Sequence, residues 1–441
     1  MPAACNQSRP VGGCIFDERL DIVFAGTAEI MSIMKKTGMD AGRRVFLLGG
    51  LAGGIAVLFP FPLDESPVRR VRGGKVGGIG NAVVPATMVS LANFGGMPGA
   101  AQSILISAFS QAFIALTVSG GGVLFVPPGV YDFGNYADAT SIIFCRNLRD
   151  IVISAYGVTF KVTTTSNVVP HLFYFFNFHN ITIAGANFID LGFTPWINWK
   201  GMYCAGIQAD KSSSGFRMID CFAERVMGLL ASNNNSATRI YLADVNVQGE
   251  VHHAYYGVGA SFIREHVNVD LVCHNVRRAF IASSLKNASI IVKSSCTLNW
   301  PGSNGLIVFV SGGASVGNVE DVRVKVIASG ACIYSSYVHF YHQGPEIEGY
   351  MRHIDATVDV INVNCAPSLF LFDHETSGVQ SETGRIWDQI SLHGSLPRRF
   401  VGKIISNPSV AKAPGMVYVD KNLAEMESMI NLPAGFRIIT L

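Results

Sequence analysis

The sequence predicts an all-β chain wound as a right-handed parallel β-helix, a solenoid closed at its N-terminal end by a helix. Three observations carry that prediction. Short hydrophobic runs recur at solenoid spacing. A second apolar run follows a small residue within many of these repeats. One segment of helical periodicity stands directly ahead of the first run.

The runs are Asp150-Ile151-Val152-Ile153, Asn180-Ile181-Thr182-Ile183, Arg217-Met218-Ile219-Asp220, Arg239-Ile240-Tyr241-Leu242, His266-Val267-Asn268-Val269, Ser289-Ile290-Ile291-Val292, Asp321-Val322-Arg323-Val324, His353-Ile354-Asp355-Ala356 and Arg385-Ile386-Trp387-Asp388. Their starts lie roughly 22–37 residues apart, the period of stacked repeats. The second runs include Gly206-Ile207-Gln208-Ala209, Gly228-Leu229-Leu230-Ala231, Ala279-Phe280-Ile281-Ala282 and Gly305-Leu306-Ile307-Val308. Two strands per turn fit a β-helix. A propeller needs more strands per blade, and a doubly wound sheet needs a helix between strands.

The cap is read from the stretch beginning at Leu91. An extended segment ends at Asn93-Phe94-Gly95-Gly96, and Ala101, Ile104, Leu105, Ala108, Phe109, Ala112 and Leu116 follow at helical spacing. Ser119-Gly120-Gly121-Gly122 stops that helix, and Val123-Leu124-Phe125-Val126 is a buried strand closed by Pro127-Pro128-Gly129. A solenoid end needs such a cover, because it otherwise exposes core and unpaired strand edges. At the other end, Met416–Val419 and Gly435–Ile439 read as final strands, with a short capping helix expected at Leu423–Asn431.

Phe94-Gly95, the helix, the triple glycine and Val126-Pro127-Pro128-Gly129-Val130-Tyr131 together resemble the N-terminal signature of the pectate-lyase-like superfamily of parallel β-helices, to which polygalacturonases are related. The resemblance implies this fold and a carbohydrate partner. The family usually has aspartates between Phe-Gly and the helix, whereas Gly96-Met97-Pro98-Gly99-Ala100 holds no acid. The chain also lacks the Gly-His-Gly and paired aspartates of polygalacturonases, and an Asp-rich calcium site, so those catalytic residues do not carry over.

Composition agrees with short buried strands and tight turns: 49% of the 441 residues are hydrophobic, 15% are charged and 46 are glycine. A net charge of +2 without a long basic run argues against a nucleic-acid partner. The nine cysteines are scattered, which suggests buried thiols and neither zinc nor a disulfide framework. Neither a metal nor a cofactor is expected.

Residues 1–40 show no periodicity, and Met31, Met34 and Met39 are alternative starts. Arg43-Arg44 ahead of a short glycine-rich apolar run makes 41–62 a twin-arginine export signal, or an uncleaved anchor, and 63–84 a linker into the β-helix of 85–441. The expected location is periplasmic or extracellular, with membrane contact only through that segment.

In a β-helix a site is a row across coils. The connection between first and second strands carries Asp190, Trp196, Trp199, Lys200 and Tyr203 in one coil and Glu224-Arg225 in the next. It carries Glu250, His252, His253 and Tyr255 in the third, His274, Arg277 and Arg278 in the fourth, and Trp300 in the fifth. Later connections, such as Ala328-Ser329-Gly330-Ala331, are bland. Aromatic rings at either end suit sugar faces; a charged centre suits the chemistry. Two mechanisms fit. A lyase needs a base (His252 or His253, with Tyr255 as acid) and a cation such as Arg277 or Arg278 to stabilise an enolate-like intermediate. A glycoside hydrolase needs two carboxyl groups, for which Glu224 and Glu250 qualify, with Asp190 a third. Asp190, Trp196, Trp199, Lys200, Tyr203, Arg225, His274 and Trp300 are the expected substrate contacts. A silent polysaccharide-binding or surface-attachment protein and an envelope polysaccharide epimerase are the alternatives. Asp373-His374-Glu375 reads as a surface turn.

Overall fold

The computed structural model describes residues 87–441, apart from 139–140, 195–199, 209–212, 234–241, 261–262, 298–304, 312–316, 331–334, 343–348, 364–367, 375–385, 399, 407–414 and 432–435. The chain divides into two compact units, Met1–Gly78 and Ile79–Leu441. The first unit lies outside the described residues, as do the expected export segment and linker.

The alternating runs form two parallel sheets. The described strands of one number 14 and those of the other 10, and all pairings between strands are parallel. From Ile143–Arg146 onward the chain visits the two sheets in turn, so that each coil holds one long and one short strand. This is the right-handed parallel β-helix that the spacing predicts. The long strands extend well beyond the four-residue runs; Arg149–Thr164 and Met351–Val363 are examples.

Each long strand is entered through a bend. Asp150, Asn180, Gly215, Asp244, His266, Asn287, Asp321, His353 and Gln389 occupy successive coils with φ between 52° and 69°. Asparagine, aspartate and histidine tolerate this left-handed region better than branched residues. Their side chains also bridge coils: Asn180 Nδ2 donates to Asp150 Oδ1 at 2.8 Å, and His353 Nδ1 lies 3.2 Å from Asp321 Oδ1. In the runs that begin at Asp150, Asn180, His266, Asp321 and His353, the first residue is this bend and the strand proper follows it.

The cap is the helix Gln102–Val118. Leu105, Ala108, Phe109, Ala112, Phe113 and Leu116 are buried, whereas Ala101 and Ile104, expected on the same stripe, face solvent. Phe113 takes their place because the stripe tilts toward the aromatic core. Phe109 sits 5.5 Å from Phe173 and 6.1 Å from Phe160, centroid to centroid, and so plugs the interior of the first coils. Gly122, with φ 147°, is required: a Cβ there would lie 2.3 Å from the Thr87 carbonyl oxygen. Leu91–Phe94 is a short 3-10 turn, not the extended segment expected. At the far end, Lys421–Ala424 is helical and Glu427–Met429 forms a 3-10 turn in place of one longer helix. Gly415–Val419 and Phe436–Thr440 are the last strands.

Cys145, Cys204, Cys221, Cys273 and Cys296 are buried free thiols, and burial pushes Cys221 up to about 12. Asp373 and His374 end the strand Ser368–His374, so they are not a turn; Glu375 lies outside the described residues.

One column of the long sheet is an ion-pair network. Glu320 accepts from Arg352 Nη2 at 2.7 Å and Tyr350 Oη at 3.1 Å, and Lys286 Nζ is 3.1 Å away. Burial raises the Glu320 pKa, but the hydrogen bonds from Arg352, Lys286 and Tyr350 outweigh it and bring the carboxyl down to about 2.

Two outcomes follow for stability. Phe109→Ala should lower the unfolding free energy by about 3–5 kcal/mol, because it hollows the plug; urea unfolding of the full chain measures this. Glu320 titrates lower in the folded chain than in the unfolded one, so its stabilisation is present above the ordinary value of 4.5 and is lost as pH falls toward about 2. Glu320→Gln should therefore lose about 2 kcal/mol at pH 7 and converge with the wild type near pH 2.

Candidate functional site

The long strands Ser214–Glu224, Leu242–His252, Ile263–His274 and Lys286–Cys296 lie side by side. Side chains alternate along each strand. Ala223, Val251, Cys273 and Ser294 are buried on the inward face, while Glu224, Glu250, His252, His274 and Ser295 point outward and are half-buried. Register then lines them up: Glu224 pairs with His252, His252 with His274, and His274 with Ser295. The acids and histidines expected in the connections therefore sit on strand ends, where the backbone ladder fixes their spacing.

The centre of the row is a carboxylate between two imidazoles. Glu250 Oε1 is 2.6 Å from His252 Nε2 and 3.6 Å from His274 Nε2. The two rings meet edge to face at 4.5 Å, and Phe222 closes the other side of His252 at 4.9 Å. Ser295 Oγ, 2.5 Å from His274 Nδ1, turns the remaining nitrogen of that ring toward Glu250. A neutral His252 that donates from Nε2 to Glu250 keeps a lone pair on Nδ1, the arrangement of a carboxylate-oriented base.

The turns that follow are equally regular. Arg225, His253 and Asn275 all adopt positive φ, at 54°, 49° and 55°. His253 Nε2 lies 3.3 Å from Asn275 Nδ2, whose Oδ1 accepts from the Thr297 amide at 2.7 Å. Arg225 donates to the Leu191 carbonyl at 3.3 Å and so ties down the connection ahead of it. Arg277 lies over the Tyr255 ring at 4.3 Å, a cation–π contact. Burial, with the Arg278 charge second, lowers the Arg277 pKa from its ordinary value. Arg278 hydrogen-bonds Tyr256, so the two adjacent arginines serve different rings.

Two expected substrate contacts are placed otherwise. Asp190 is fully buried, and its carboxylate accepts from Thr164 N, Thr164 Oγ1, Gly192 N and Met202 N at 3.0, 2.7, 2.8 and 2.8 Å. It anchors both ends of the connection and reaches neither solvent nor a second carboxylate. Tyr203 is stacked between His171 at 5.5 Å and Tyr256 at 6.4 Å, so neighbouring rings occupy both of its faces. Gly228, in register between Tyr203 and Tyr256, leaves room for that stack. Burial raises Tyr203 well above the ordinary phenol and holds His171 down at about 4. Lys200 is half-buried and bridges to Thr194 at the base of the insertion. Trp196, Trp199 and Trp300 lie outside the described residues.

Sequence reasoning missed Ser295, Phe222 and Asn275 as residues that position the histidines. Alignment of the coils on strand alternation, in place of the connections, brings Ser295 into the row of His252 and His274 and sets Phe222 beside Glu250.

No family model and no curated protein matches the chain. Among solved structures it is similar to the tailspike protein of Acinetobacter baumannii phage AM24, at 10% identity and a TM-score of 0.36, over 80% of this chain and 53% of that one. The chain thus spans about half the length of that tailspike. It is similar at 10% identity and a TM-score of 0.36 to endo-xylogalacturonan hydrolase from Aspergillus tubingensis, over 75% and 95% of the two chains. The tailspike of E. coli bacteriophage HK620, solved with a pentasaccharide, matches at 11% identity and a TM-score of 0.31 over 80% of each chain.

The placement of Asp190 separates anchoring from binding. Asp190→Ala should cost roughly 3 kcal/mol in urea unfolding, because it orphans buried donors. Well below its unfolding transition the variant should keep the circular dichroism of the wild type.

Proposed function

We propose that the protein binds a polysaccharide along the outward row Glu224–His252–His274 and the turns beside it, and cleaves it by lyase chemistry. The observation that carries this reading is the 2.6 Å contact between His252 and Glu250, with His274 set against the same carboxylate. An imidazole oriented by a carboxylate takes a proton from the carbon next to a uronate carboxylate. Arg277, held over Tyr255 on the adjoining turn, offers a fixed cation for the negative charge that develops. His253 and Tyr255 share one turn with Arg278 beside it in the next coil, and Tyr255 is the candidate acid for the leaving oxygen. The substrate platforms are Trp196, Trp199 and Trp300, with Lys200, Arg225 and His274 as polar contacts. The Arg43-Arg44 segment supports export to the compartment where such glycans occur.

A second reading has its own support. Glu224 and Glu250 stand on adjoining strands, offset by two residues along the strand direction on the same outward face, and offer the two carboxyl groups that a glycoside hydrolase uses. Glu250 is already engaged by two imidazoles, which favours the first reading.

The test is to incubate the full chain with acidic and neutral polysaccharides, and to follow both unsaturated-uronate absorbance and reducing ends. Absorbance together with reducing ends is expected. His252→Ala should then lower turnover by about 10²–10⁴-fold and Arg277→Ala by about 10²–10³-fold, with unchanged circular dichroism. Reducing ends without absorbance would reject the lyase and select Glu224 and Glu250. Binding without either product would leave a polysaccharide-binding protein.

A further inference from the structure

We propose that Glu250, His252 and His274 form a binding site for a divalent transition-metal ion of the zinc class. This goes beyond the cleavage reading and stands on geometry that needs no glycan. Glu250, His252 and His274 each offer one ligand atom, and the three atoms lie within 4.8 Å of one another. A tetrahedral ion with bonds of about 2.0–2.2 Å needs donors about 3.3 Å apart. Two of the three separations bracket that value: 2.6 Å from Glu250 Oε1 to His252 Nε2, and 3.6 Å from the same oxygen to His274 Nε2. Small rotations about the side-chain bonds, with no backbone change, would bring the three donors onto one ion.

The supports are stiff where a metal site needs them to be. His252 and His274 are register partners on adjacent parallel strands, and Glu250 is two residues before His252 on the same face. Ser295 Oγ holds His274 Nδ1 at 2.5 Å and so presents Nε2, the role of an outer hydrogen bond to a metal-ligating histidine. Phe222 packs against the His252 ring and limits its rotation. The outer side of the cluster is open, with 45% of the Glu250 side chain and 39% of the His274 side chain exposed, so further positions remain for water or a sugar oxygen.

The donor set chooses the ion. Two imidazole nitrogens and one carboxylate suit zinc, cobalt, nickel or copper, whereas calcium and magnesium take oxygen donors almost throughout. Glu224, in register with His252, is close enough in the row to be asked about, but it is not one of the converging atoms. An ion bound through His252 Nε2 displaces the proton from that nitrogen and leaves the neutral ring protonated at Nδ1, the atom His252 would use as a base. Loading therefore suppresses proton transfer by His252, and the metal acts as a brake on the proposed cleavage.

The full chain, stripped with EDTA, is titrated with Co(II) and followed by visible d–d absorption, then with Zn(II) by calorimetry in competition. One equivalent is expected. His252→Ala and His274→Ala should abolish it, Ser295→Ala should weaken it by about 10–100-fold, and Glu224→Ala should leave it unchanged. Ser295→Ala, which removes no proposed ligand, keeps the test valid where a histidine variant folds poorly, and a zinc-dependent rise in the wild-type melting temperature supplies an independent reading. Absence of stoichiometric Co(II) and Zn(II) binding overturns the proposal, and so does wild-type affinity retained in His252→Ala and His274→Ala. Because none of these measurements contains a glycan, an inactive protein that binds the ion would reject the cleavage reading alone.

Discussion

The structure depends on one constraint: each coil must hydrogen-bond, in parallel register, to the coil before and after it. The backbone groups of a strand have no other partners, so the rise per coil is fixed at about 4.8 Å and a strand cannot slip by one residue without exchanging core for solvent. The bend column from Asp150 to Gln389 repeats because every coil must turn at the same place to stay in register. The two ends are where this rule fails, and there the chain supplies the helix Gln102–Val118 on one side and the Lys421–Ala424 segment with a last strand on the other.

The same constraint makes the chemistry a matter of columns. Glu224, His252, His274 and Ser295 come from strands well separated in sequence, yet they form a contiguous row because register admits no other arrangement. Asp190 shows the converse. It too ends a long strand, but it turns inward to collect amides from Thr164, Gly192 and Met202, and its charge serves the backbone. Glu250, on an outward position of the neighbouring coils, keeps its charge for imidazoles. Direction relative to the pleat decides between these fates for two acids in comparable places.

The Glu320 network offers a contrast on the same sheet. There the partners are permanently charged Lys286 and Arg352, and the carboxylate is saturated by donors from three side chains. At Glu250 the partners are imidazoles, which exchange protons and bind metals near neutral pH. The first arrangement locks adjacent coils together; the second can change state without unfolding anything.

The fold was legible in the sequence because period-two alternation, glycine and bend residues recur locally, once per coil, and each repeat restates the same rule. The buried thiols among the described residues and the capping helix followed from the same patterns, whereas the strand Met88–Ser90 ahead of that helix did not. The site was legible only as a concentration of residue types in coils 190–278. Its membership was not, because face and register are properties of neighbouring strands: Ser295 looks unremarkable until it stands beside His274, and Asp190 and Tyr203 look available until Thr164 and the His171 and Tyr256 rings close on them. Local sequence thus determined the coil, its period and its cap, since each is set by contacts within a few residues. Which side chains meet was decided by the tertiary structure alone, since a one-residue change in register or a turn of the pleat reverses the outcome.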